Sequence, residues 1–93
     1  MIVGVCTVEL FIANSQSLKD KRQILHSVRD RLRDKFNLSV AEVDEQDLWQ
    51  KAVLGIACVA NESVHVNRVL EQALNLVKSI PSVEIVRTHM ELL

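Results

Sequence analysis

The amino-acid sequence predicts a single α+β domain whose elements follow the order βαββαβ. Two apolar segments rich in β-branched residues, 1–13 and 48–60, are typical of strands. Each is followed by a segment with helical periodicity, over 18–36 and 62–79. Only two glycines and one proline interrupt the 93 residues, so regular structure is expected to account for most of the chain.

The boundary between the first strand and the first helix is predicted by a change in the spacing of the apolar residues. In residues 1–13 the even-numbered side chains are the more apolar set, so they are predicted to face the helices. Ser17 and Asp20 fit a variant of the capping box at the start of the helix over 18–36. Asn37 suits its end, because asparagine tolerates the left-handed conformation. The apolar residues of this helix form one narrow stripe: Leu18, Leu25, Val28, Leu32 and Phe36, with Ile24 at its edge.

Three further strands are predicted. Residues 38–43 alternate weakly and predict the second strand, and residues 44–47 make a charged turn. Residues 48–60 predict a third strand that is apolar on both faces, as a central strand would be. Residues 83–90 predict the fourth.

The second helix is predicted over 62–79, with Asn61 as its N-cap and Pro81 ending it. Its core side chains are Val66, Val69, Leu70, Ala73, Leu74 and Val77. Right-handed crossovers then give the strand order 4-1-3-2 with both helices on one face of the sheet. This is the ferredoxin-like arrangement, and residues 1–93 are expected to form one such domain.

Composition excludes several classes of protein. A net charge of −1 and a pI near 6.3 predict neither nucleic acid nor membrane as a partner from bulk charge alone. The apolar stretch over 2–13 is too short to span a bilayer and lacks the parts of a secretory signal. Cys6 and Cys58 lie in apolar strands without CxxC spacing, which predicts two reduced, buried thiols and a cytoplasmic location.

Charge is nevertheless segregated. The first helix carries seven of the eleven Lys and Arg residues against three aspartates, whereas acidic residues cluster over 42–47. Five donors fall on one flank of the helix and are called the basic stripe: Lys19, Arg22, His26, Arg29 and Arg33. Such a row can follow a phosphate backbone, and its arginines favour planar recognition of phosphate, so the stripe predicts binding of structured RNA. The alternative, an ordinary solvated helix face, stays open.

The sheet face without helices is expected to be mostly aliphatic. Its members, called the open face, are Val3, Val5, Phe11, Val53, Ala57 and Val59. Such a surface is costly to expose, which predicts a homodimer or docking on a protein partner. Alternatively Leu92 and Leu93 cover it. Too few aromatic residues lie there for base stacking, and Trp49 is expected to pack beneath the charged turn.

No signature of catalysis, metal or cofactor binding occurs. His26, His65 and His89 have no ligand-like spacing, so neither a metal nor a cofactor is predicted. Glu9 beside Arg87 or His89 is a possible acid–base site, although a structural ion pair is favoured. Lys21 projects close to the apolar stripe and is predicted to snorkel or to pair with a carboxylate.

Three segments resemble one known family, the YlxP-like bacterial domains of unknown function. They are SLKDKR (17–22), FNLSVAEV (36–43) and LGIACVAN (54–61), within a similarity that covers nearly the whole chain. The resemblance implies a ferredoxin-like fold. By analogy it also implies association with RNA or the ribosome, because members are often encoded beside genes for translation initiation and ribosome maturation. It supplies no catalytic residues.

Overall fold

A computed structural model describes all 93 residues. Four strands and two helices follow the predicted order: β1 (Ile2–Phe11), α1 (Leu18–Lys35), β2 (Ser39–Asp44), β3 (Lys51–Ala60), α2 (Ser63–Lys78) and β4 (Glu84–Leu92). The strands form one antiparallel sheet in the order β2-β3-β1-β4, which is the predicted order read from the opposite edge. The α+β, ferredoxin-like prediction is therefore confirmed.

The core lies between the helices and one face of the sheet. Cys6, Val8 and Leu10 of β1 are buried, whereas Val3 and Thr7 point to the opposite face and keep part of their surface. The even-numbered face of β1 is thus the helix-facing one, as predicted from its composition. Twenty buried hydrophobic residues form one continuous cluster in this layer. Neither helix is both long and apolar enough to cross a membrane.

The start of α1 is fixed by reciprocal side-chain bonds. The Asp20 backbone N–H donates to Ser17 Oγ at 3.0 Å. The Asp20 carboxylate in turn accepts from the Gln16 backbone N–H at 3.1 Å, one residue earlier than in the standard capping box. The predicted capping residues are therefore correct, and Asp20 also lies near the positive end of the helix dipole.

Two predicted helix ends are wrong. α1 ends at Lys35 and Phe36 continues in extended backbone, so Asn37 is not a left-handed cap; the only non-glycine residue with positive φ is Glu45. Asn61 does not cap α2, whose N-cap is Glu62 without a side-chain cap bond. β3 ends at Ala60 as predicted, and the chain continues through Asn61 and Glu62 before α2 begins at Ser63.

Gly4 is where α2 approaches the sheet most closely. A Cβ built there would overlap Val66 Cγ1 and lie 3.0 Å from Leu70 Cδ1, and both side chains are fully buried in α2. Glycine at this position therefore sets the distance between helix and sheet.

We expect Gly4→Ala to destabilise the domain by about 1–3 kcal/mol, because overpacking of a tight core has a cost of this order. The matched control is Gly55→Ala, whose Cβ would meet only Val43, a half-exposed side chain that can move aside. Urea denaturation of both variants checks the prediction. Equal midpoints for the two variants would show that the helix–sheet distance is not set at Gly4.

Candidate nucleic-acid interface

The basic stripe lies on the outer flank of α1, above the edge strand β2. Arg22, His26 and Arg29 line one cleft with Val40 and Glu42 of that strand. Lys19 and Arg33 extend the same flank by one helical turn at either end. Four of the five side chains are exposed and Arg29 is partly buried. The structure thus places all five on one flank of the helix, as their spacing predicted.

Most of the positive charge on the stripe is uncompensated within the chain. The one ion pair on it joins Arg29 Nε to Asp30 Oδ1 at 3.1 Å. Lys19, Arg22 and Arg33 make no salt bridge, although three aspartates share the helix. These three cations are therefore free to contact solvent or an anionic partner.

The cleft between α1 and β2, called the α1–β2 cleft, has a volume of about 230 Å³. Leu25, Val40 and Leu54 give it an apolar floor, and the arginines form one wall. Glu42 contributes a carboxylate to the same cleft. Sequence reasoning grouped Glu42 with the distant acidic turn. Strand alternation could have found its place, because it is two residues from buried Val40 and so faces the helices.

Lys21 is the most unusual side chain in the molecule. It is fully buried, and its Nζ lies 2.8, 2.6 and 2.9 Å from the backbone carbonyl oxygens of Glu45, Leu48 and Lys51. Glu42 Oε2 lies 2.8 Å from the same nitrogen and forms an ion pair with it, but the angle between the two groups does not allow a hydrogen bond. The predicted pairing of Lys21 with a carboxylate is confirmed. The three backbone carbonyls that surround its Nζ, called the carbonyl cage, are not part of that prediction.

The carbonyl cage corrects two predictions about the turn between β2 and β3. The carbonyls of Glu45 and Leu48 are directed at Lys21 and not at a neighbouring strand, and β3 begins at Lys51 instead of residue 48. Trp49 does not pack beneath the turn. Lys21 fills that space, and Trp49 is 56% exposed beside Phe11 in a shallow depression at the end of the sheet.

The six predicted open-face residues all lie on the sheet face that carries no helix. Val59 is exposed and the other five are partly buried by their neighbours: Val3, Val5, Phe11, Val53 and Ala57. The chain terminus does not cover them. Leu92 pairs with Gly4 and approaches its helix-facing side, and Leu93 is 72% exposed. The six open-face residues therefore have no cover from their own chain, and the same sheet face also carries polar residues of β1 and β4: Thr7, Glu9, Arg87, His89 and Glu91.

Glu9 and Arg87 occupy paired positions on β1 and β4, with 3.9 Å between Oε2 and Nε. The Arg87 side chain is largely exposed, so this is a weak surface ion pair and not an enclosed acid–base site. No three His, Cys, Asp or Glu side chains are grouped where they could hold a metal ion. Cys6 and Cys58 are free and buried, as predicted, and burial raises the pKa of the Cys6 thiol.

Fold and surface together define a small α+β domain of ferredoxin-like architecture with a basic helix flank beside an open sheet edge. The chain belongs to the family described as "Protein of unknown function (DUF503)", whose model matches residues 3–90. It is 34% identical over 90 residues to "Uncharacterized protein YlxP" of Bacillus subtilis (strain 168), covering 97% of this chain and 98% of that protein. The YlxP-like resemblance is thus confirmed.

Two solved structures share the architecture. "De novo designed protein Foldit4" matches with a TM-score of 0.55 and 14% identity, covering 100% of this chain and 97% of that one. "De novo designed protein Ferredog-Diesel" matches with a TM-score of 0.51 and 10% identity, covering 96% and 83% of the two chains. At these identities the likeness concerns the fold alone.

Proposed function

We propose that this protein is a non-enzymatic, cytoplasmic RNA-binding module that holds phosphates of structured RNA, including ribosomal RNA, along the basic stripe. The supporting observation is the row of cations on one helix flank, of which Lys19, Arg22 and Arg33 make no ion pair within the chain. Arginine guanidinium groups recognise phosphate oxygens through two parallel hydrogen bonds, which makes such a row suited to a sugar–phosphate backbone. The translation link implied by the YlxP-like family agrees with this choice of partner.

Binding of this kind is expected to depend steeply on salt. Neutralising about four phosphates should weaken binding roughly 50-fold or more between about 50 and about 200 mM salt, because condensed counterions are released. Fluorescence anisotropy with a labelled RNA hairpin measures this directly at the two salt concentrations. An affinity indifferent to salt would contradict the proposal.

A second candidate function is protein interaction through the open face. It is favoured by the absence of any cover over Val5, Val53 and Val59, with Leu92 turned to the other side of the sheet. Pairing of two such faces would bury aliphatic surface on both copies.

If the open face is a homodimer interface, light scattering should give a dimer mass that falls to a monomer mass in Val59→Lys. A buried lysine without a partner is strongly disfavoured at an apolar contact. The control is Val64→Lys, which alters an exposed valine on α2 and should leave the mass unchanged. A monomer mass for the unaltered protein at every concentration would exclude self-association.

A further inference from the structure

The α1–β2 cleft has the size and lining of a site for one small, flat, polar group. Its volume of about 230 Å³ is below that of pockets for drug-sized ligands, which suits a single base better than a larger cofactor. The floor is aliphatic, and Arg22 and Arg29 stand at the wall, where a guanidinium plane can stack on a base. The cleft also opens directly onto the basic stripe, where phosphates are proposed to lie.

Glu42 gives the cleft an oriented hydrogen-bond acceptor. Its Oε2 is buried against Lys21 at 2.8 Å, which holds the carboxylate in place. The side chain keeps 21% of its surface, and its buried Oε2 has no hydrogen-bond partner in the protein. A carboxylate so held accepts from neighbouring N–H groups and repels other acceptors. The chemistry therefore selects a partner that presents donors.

Among the bases, guanine fits this acceptor best. Its Watson–Crick edge presents an imino N–H and an amino group side by side, and single-stranded bases are commonly recognised on that edge. Adenine presents a ring nitrogen acceptor beside its amino group, and uracil presents carbonyl oxygens on both sides of its imino group. Both would set an acceptor against the Glu42 carboxylate.

Two other occupants of this edge are disfavoured by charge. Pairing β2 with β2 of a second copy would set the two α1 helices side by side, with Arg22 and Arg29 of each copy facing like charges. An acidic peptide strand added to β2 would bring its carboxylates towards Glu42 and Asp44. A base with donor groups carries no net charge and avoids both penalties.

We propose that the α1–β2 cleft binds one unpaired guanine of an RNA strand, with Glu42 accepting from its Watson–Crick edge and the basic stripe holding the adjoining phosphates. This site rests on the proposed RNA-binding function and adds base selectivity to it. Lys21 acts here as a positioning residue, because it holds Glu42 from below and makes no contact with the base.

The test uses three labelled twelve-nucleotide RNAs: oligouridine, and the same strand with one central guanine or one central adenine. By anisotropy with the unaltered protein, the guanine strand should bind about tenfold tighter than the other two, as expected for one well-placed base contact. Equal affinities for the three strands would overturn the guanine site. If all three bind equally but with steep salt dependence, phosphate binding along the stripe survives. If only the RNA hairpin binds, the guanine site alone fails.

The matched variants are Glu42→Gln and Asp44→Asn, which remove one negative charge each from the same strand. Glu42→Gln should reduce the preference for guanine to about twofold or less, because an amide presents one acceptor and one donor group. Asp44→Asn should keep the preference, since Asp44 does not line the cleft. Retention of the full preference in Glu42→Gln would overturn the role of the carboxylate. If Glu42→Gln is unfolded, the affinities of the unaltered protein for the three RNA strands still test the guanine site.

Discussion

Lys21→Met is expected to destabilise the domain by about 3–5 kcal/mol, the cost of removing one member of a buried charge pair. The substitution keeps an unbranched side chain in the core but leaves the Glu42 carboxylate without its cation. It also deprives the carbonyls of Glu45, Leu48 and Lys51 of a donor that lies within 3 Å of each. A loss of this size is a large part of the total stability of a domain, which is usually about 5–15 kcal/mol.

Urea denaturation with Lys19→Met as control measures this effect. Lys19 lies in the same helical turn, is exposed and makes no ion pair, so its replacement should change stability by less than about 0.5 kcal/mol. In a double-mutant cycle, Lys21→Met should also cost less in a Glu42→Gln background, where no carboxylate remains to be left unpaired. Similar unfolding midpoints for Lys21→Met and Lys19→Met would show that the carbonyl cage contributes little.

Reversing the stripe should have the largest effect on RNA binding. The triple variant Arg22→Glu, Arg29→Glu and Arg33→Glu replaces three cations of the stripe by carboxylates that repel phosphate. We expect RNA affinity to fall at least about a hundredfold at low salt, and the remaining salt dependence to become shallow, since few counterions are then released. Anisotropy titration at several salt concentrations gives both quantities.

The control for the stripe reversal is a second triple variant with an equal change in net charge. Arg31, Arg68 and Lys78 are exposed, lie outside the stripe and make no ion pair. Changing all three to glutamate therefore gives the same change in net charge as the stripe reversal, but at positions outside the stripe. This variant should lose affinity only severalfold, through long-range electrostatics. Equal losses in the two variants would mean that net charge governs binding and the stripe does not.

The fold could be predicted from periodicity because each element is consistent with its surroundings. Val8 and Leu10 alternate with polar or half-exposed neighbours, and Leu25, Val28 and Leu32 repeat at helical spacing, so local pattern and burial agree. The errors fall where the chain is held by contacts distant in sequence. The start of β3 is such a case: the carbonyls of Glu45 and Leu48 are directed at Lys21 of α1, and the strand begins only at Lys51.

The candidate site was predicted only in its helical part. The stripe follows from helical spacing, which sequence alone supplies. The place of Glu42 and the cage around Lys21 depend on residues 21 to 30 positions apart in sequence coming together. The prediction that Trp49 packs beneath the turn fails for the same reason, because Lys21, distant in sequence, fills the space that a large aromatic side chain would ordinarily take.

The most direct test of the central claim is to locate the RNA on the protein by NMR. In ¹H–¹⁵N spectra recorded during titration with the RNA hairpin, the shifted amides should cluster on the exposed flank of α1, at Lys19, Arg22, His26, Arg29 and Arg33, and along neighbouring β2. Shifts confined to the open face around Val5 and Val53, or no shifts at low salt, would contradict binding through the basic stripe.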